Sequence, residues 1–92
     1  MRVIIVPDDG VVLIDGKGRV VDCSSVDRTI HAVQWYDDHG EIEYKTFDGV
    51  RAPNLAITDL SLFQIVIDAW RVVPDRIPVP YFLESETVNA PS

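Results

Sequence analysis

Ninety-two residues fit one domain and leave no room for a second, since domains typically run to about 100–150 residues. The chain is 47% apolar and 25% charged, an ordinary globular composition that supports one compact core and no deep internal pocket. Its net charge of −7, from 15 acidic and 8 basic residues, argues against direct contact with nucleic-acid phosphates or an anionic membrane surface.

Val3-Ile4-Ile5-Val6 is β-branched throughout and reads as a strand closed by Pro7-Asp8-Asp9-Gly10. Val11-Val12-Leu13-Ile14 follows at once, so the first two strands form an antiparallel hairpin. Asp15-Gly16-Lys17-Gly18 reads as a second turn and Arg19-Val20-Val21-Asp22 as a third strand. These runs are apolar on both faces, which predicts cover on both sides or a central place in the sheet. The opening apolar run is four residues long, short of the roughly 7–15 of a signal peptide and the about 20 of a membrane span.

Cys23 to Thr29 is polar without a sustained period and reads as a loop. His31, Val33 and Trp35 then alternate with Ala32, Gln34 and Tyr36, and Ile42 and Tyr44 alternate with Glu41, Glu43 and Lys45. With Asp37-Asp38-His39-Gly40 as the turn, Tyr36 meets Glu41, Trp35 faces Ile42, and Val33 faces Tyr44 on one side of a hairpin. His31 falls on the core-facing side in this register. Residues 46–57 contain the turn signals Asp48-Gly49 and Pro53-Asn54, with a short strand around Val50-Arg51.

Thr58, Asp59 or Ser61 caps a helix that runs to about Val72. Leu60, Phe63, Val66, Ile67, Trp70 and Val73 recur at helical spacing as one wide apolar face for the sheet. Residues 74–92 hold four prolines, Pro74, Pro78, Pro80 and Pro91, and read as an extended or disordered tail. The expected fold is α+β, with residues 1–73 as a single domain. Its antiparallel, largely meander sheet has five or six strands and carries one C-terminal helix on a face.

Candidate chemistry is sparse. His31 and His39, with Asp8, Asp9, Asp37 and Asp38, are the metal candidates, but a site needs three or four ligands converging on a point. Here one histidine is in a turn and the other most of a strand away, so no metal is expected. Adjacent aspartates in turns serve local backbone hydrogen bonds, and solvated carboxylates make poor general acids at neutral pH. Asp15-Gly16-Lys17-Gly18 lacks the spacing and the following helix of a phosphate-binding loop. Cys23 is the only cysteine, which excludes an internal disulfide and fits a reducing compartment. Its neighbours Asp22, Ser24 and Ser25 offer no cation to activate it, so it reads as a partly buried spacer. No enzyme activity and no cofactor are expected.

The helix carries a second apolar stripe, Leu62, Ile65, Ala69 and Val72, roughly opposite the core face, with Ser61, Gln64, Asp68 and Arg71 confined to a narrow wedge. A helix apolar on two sides is covered on two sides. Three covers suit it: the Pro-rich tail, a second copy of the chain, or a different protein. These four residues are the candidate partner-binding set. Acidity serves solubility in the first instance, and the alternative reading is an acidic regulatory module or DNA-mimic inhibitor of a host protein.

The run from His31 to Tyr36, continued by Asp38 to Tyr44, resembles a segment of small tail-associated proteins of tailed phages and prophages. Ile57-Thr58-Asp59-Leu60, Phe63-Gln64 and Asp68-Ala69-Trp70 resemble the helix of the same group, and Val12 to Gly16 its opening strands. Some of these proteins look like the front part of tail-fibre assembly proteins or tail assembly chaperones. The resemblance implies a non-enzymatic accessory role in building or decorating a phage tail, in the host cytoplasm or on the virion. Its partner is a tail or tail-fibre protein, or the chain itself as a homodimer, and the resemblance brings no catalytic residues. Longer relatives continue into a further helical segment where this chain has its Pro-rich stretch.

Overall fold

Short β-branched runs separated by Asp-Gly turns set the architecture of the computed structural model, which describes residues 1–73; the expected tail, 74–92, lies outside the described residues. The elements are β1 (Arg2–Val6), β2 (Val11–Ile14), β3 (Lys17–Val20), β4 (Ile30–Tyr36), β5 (His39–Tyr44), β6 (Thr46–Phe47), β7 (Val50–Arg51), β8 (Leu55–Ile57) and the helix α1 (Gln64–Val72). Six strands form one antiparallel sheet in the order β3-β2-β1-β4-β5-β8, and β6 and β7 pair as a separate small hairpin. The sheet is two meanders joined where β1 pairs with β4, with Val3 opposite Trp35 and Ile5 opposite Val33. The expected α+β class holds.

The turns are tighter than the sequence suggests. Asp15-Gly16 and Asp48-Gly49 both take positive φ at both positions (50° and 85°; 52° and 75°), the two-residue geometry whose twist matches the flanking strands. Lys17 therefore joins β3 opposite Ile14, and the third strand spans residues 17–20 where 19–22 was expected. Asp37-Asp38 also closes the β4–β5 hairpin in two residues, with positive φ at Asp37 alone (59°): Tyr36 pairs with His39, Trp35 with Gly40, and Val33 with Ile42. The expected pairing is thus displaced by two residues. A two-residue slip leaves every side chain on its own face, so the core set stands and only its partners change.

A bulge between Ile30 and Ala32 overturns the placement of His31. Ile30 takes the buried position and His31 turns to solvent. One face of the sheet, with Val3, Ile5, Val12, Ile14, Val33, Trp35 and Ile42, joins Phe63, Val66 and Ile67 of the helical segment in a single buried cluster. Each fully buried aliphatic side chain there contributes roughly 1.5–3 kcal/mol relative to exposure. Val21, expected in the third strand, and Cys23 and Val26, expected in a polar loop, close one end of this core from the β3–β4 connection.

The chain enters the helix through a 3-10 turn, Ser61–Phe63. No side chain caps α1 itself; the Asp59 carboxylate accepts the Ser61 backbone N–H at 2.6 Å one turn earlier. At the far end Trp70 fastens the helix to β3. Its indole N–H donates to the Lys17 carbonyl at 3.0 Å, the Arg19 guanidinium lies 4.1 Å over its ring, and Arg19 Nη1 donates to the Trp70 carbonyl at 2.6 Å. The other face of the sheet has no helix among the described residues. Ile4, Val6, Val11 and Leu13 are half-buried there and Val20 is exposed; of the two alternatives expected for these runs, β1 meets the central place in the sheet, while β3 is an edge.

Candidate partner-binding site

The helix shows which apolar residues are left over. Val66 and Ile67 point into the core, while Leu62, Ile65 and Val72 are 77%, 68% and 80% exposed. Ala69 is half-buried and packs against the margin of the core, so the outward stripe consists of the other three. The polar wedge holds together by itself: Gln64 Nε2 donates to Asp68 Oδ1 at 2.8 Å and Arg71 Nη1 lies 3.4 Å from the same oxygen.

Leu62 also borders an open groove of about 260 Å³ at the β8 margin, lined in part by Tyr44, Leu55, Phe63 and Val26. Tyr44 is shared with a second, almost wholly apolar depression of about 320 Å³, where Phe47, Val50 and Ala52 of the small hairpin meet it. Exposed apolar side chains thus run from the β6–β7 hairpin past Tyr44 and Leu55 to the start of the helix. The sequence reading missed everything in this strip outside the helix. Leu55-Ala56-Ile57 is too short a run to announce a strand, and Pro53-Asn54 reads as a turn.

The other candidates are not brought together. His39 Nδ1 lies 2.8 Å from its neighbour Asp38 Oδ1 and stacks at 5.7 Å on Tyr36, at the opposite end of β4 from His31. Among the described residues no three His, Cys, Asp or Glu side chains converge as a metal site. Asp8 faces Lys45 at 2.9 Å, and Asp22 and Asp27 accept local bonds from Ser24 and Thr29. Hydrogen bonds from Thr29 and Ser61 hold the carboxyls of Asp27 and Asp59 below the ordinary aspartate range.

Cys23 is buried. Burial pushes its thiol above the ordinary value and the charge of Asp22 adds to the effect, the reverse of what a nucleophile needs. A disulfide reagent at neutral pH should label the native protein much more slowly than the urea-unfolded chain. Equal rates would mean that the β3–β4 connection stands open.

No helix among the described residues is long and apolar enough to cross a membrane. No known protein family, curated protein or solved structure matches the chain.

Proposed function

We propose that this domain is a non-enzymatic accessory protein of a phage or prophage, acting in tail structure or tail-fibre assembly by holding another protein against its helix. The observation that carries the binding part is the outward stripe of Leu62, Ile65 and Val72. Three large aliphatic side chains on one helical face lose free energy to water at roughly 25 cal/mol per Å² of apolar surface. They recover it only under cover, as helix-in-groove recognition does. The tail setting rests on the resemblance of the β4–β5 hairpin and the helix described above, and the acidic surface keeps the unoccupied protein soluble.

The alternative, an acidic mimic of DNA, calls for carboxylates ranked along one face. Here Asp8, Asp9, Asp22 and Asp27 line a depression at one end of the sheet. Asp15, Asp37 and Asp38 sit in turns at the other end, Asp59 precedes the helical segment and Asp68 lies within α1. That spread gives the mimic no support.

The test is co-expression with the products of adjacent tail and tail-fibre reading frames, followed by light scattering of whatever co-purifies. The expected result is a defined complex that Ile65→Glu with Val72→Glu abolishes while the amide spectrum stays native, since exposed substitutions shift stability by only about 0.5 kcal/mol. A monomer that retains no tail protein, or a complex indifferent to both charges, removes the proposal.

A further inference from the structure

The two edges of the sheet are treated differently. β3 carries the charged residues Lys17 and Arg19, a device that discourages further pairing. β8 carries Leu55-Ala56-Ile57 with no charge, proline or bulge among its three residues, and it is the last strand of the order.

The direction of its backbone groups follows from the hairpin beside it. Residues flanking a two-residue turn exchange hydrogen bonds, and in antiparallel pairs bonded and non-bonded positions alternate. Tyr36 and His39 flank the turn, so Gly40 and Ile42 turn their N–H and C=O groups to β8. These two pair with Ile57 and Leu55, which leaves Ala56 facing outward with its donor and acceptor. On the core side of the same edge, Leu55 is about half exposed beside the groove with Tyr44 and Leu62. A strand laid along β8 would therefore find backbone partners at Ala56 and an apolar seat for one of its side chains.

Charge selects the occupant. Asp59 lies two residues beyond β8, Asp27 lines the groove, and Glu41 lies opposite Ala56 with its carboxylate accepting from Asn54 Nδ2 at 3.1 Å. Of the cations nearby, Lys45 is engaged by Asp8 and Arg51 by Glu43, and Arg28 lines the adjoining depression with Asp8, Asp9, Asp22 and Asp27. A second copy would bring the same carboxylates against these three, so like charge disfavours self-pairing at this edge.

We propose that the β8 edge accepts an extended basic and apolar segment of a partner protein as an added strand, one apolar side chain of which enters the groove between Leu55 and Leu62. The inference rests on the protein-binding reading given above but uses different residues. Main-chain bonds at Ala56 supply pairing, the groove supplies side-chain selection, and the carboxylates favour Lys or Arg at the alternate positions.

The test is a titration of the isotope-labelled full chain with the synthetic peptide Lys-Val-Lys-Leu-Lys-Val-Lys, followed through amide shifts. Saturable movement of the Leu55, Ala56, Ile57 and Asp59 amides is expected. Binding should be at least about tenfold weaker when the lysines become glutamates, and lost when alternate peptide amides are N-methylated on the pairing edge. Ala56→Pro removes the outward N–H at a position where an edge strand tolerates proline, and it should abolish binding with the rest of the spectrum unchanged. If that variant does not fold, the N-methyl comparison on the unaltered protein decides. Unmoved β8 amides, equal binding of the glutamate peptide, or indifference to N-methylation would overturn the proposal. So would β8 shifts that grow with protein concentration alone, which would assign the edge to a second copy. Peptide binding at β8 without any co-purifying tail protein would sink only the assembly reading. A tail complex with β8 unmoved would sink only the added strand.

Discussion

Phe63→Ala is expected to lower the unfolding free energy by ~3–5 kcal/mol, the range for truncating a buried phenylalanine. The ring is 3% exposed and sits where the 3-10 turn passes into α1, in the same cluster as Ile42, Val66 and Ile67. It packs the start of the helix against the sheet. A domain of this size is stable by only about 5–15 kcal/mol, so the substitution removes a large part of the total. Leu62→Ala, one residue earlier and 77% exposed, should change stability by less than about 0.5 kcal/mol. Urea denaturation of the two variants, read as midpoint shifts at constant slope, checks which way the helix faces. A loss at Leu62 comparable with that at Phe63 would mean that the stripe is already covered within the chain.

What the sequence made legible follows from how local each signal is. The β1–β2 hairpin was legible as two β-branched runs about a short turn, while the core side of β4 and β5 and the inner face of α1 are written in side-chain periods of two and 3.6; His31 apart, the structure places them as those signals require. The second stripe was legible for the same reason, except that Ala69, the smallest of the four, settles against the core margin. Turn lengths were harder to read, because a cluster such as Asp15-Gly16-Lys17-Gly18 names the turn without saying how many of its members re-enter the ladder. The His31 error has a different cause. A bulge adds a residue without altering composition, and Ile30 just before the alternating run was free to take the core position. β8 escaped because three residues cannot show a period; it exists through its pairing with β5. The groove at its edge is a product of tertiary structure, assembled from side chains of β5, β8, the β3–β4 connection and the helical turn.

Gly40→Ala should be as damaging as a core truncation, although it adds a single methyl. Gly40 is buried opposite Trp35 in the β4–β5 ladder. A Cβ there would stand 2.3 Å from the Gln34 carbonyl oxygen and 3.0 Å from both the Cα and the Cε3 of Trp35. Two of those atoms belong to the facing backbone and cannot rotate aside. The strands would have to part beside the turn, drawing the Trp35 indole N–H from the Asp37 carbonyl it reaches at 3.1 Å. Overpacking of this kind typically costs 1–3 kcal/mol, and a clash with backbone belongs at about 3 kcal/mol or above. Gly49→Ala is the control: its φ is +75° but nothing lies within 4 Å of the added carbon, so only left-handed strain of about 1–2 kcal/mol remains. A large loss at residue 40 with a small one at residue 49 is what a two-residue turn at Asp37-Asp38 requires. Were Gly40 part of a four-residue loop, with Trp35 opposite Ile42, no strand would lie against its Cα and the order of the two losses would reverse. Thermal unfolding of the two variants therefore decides the register of the hairpin.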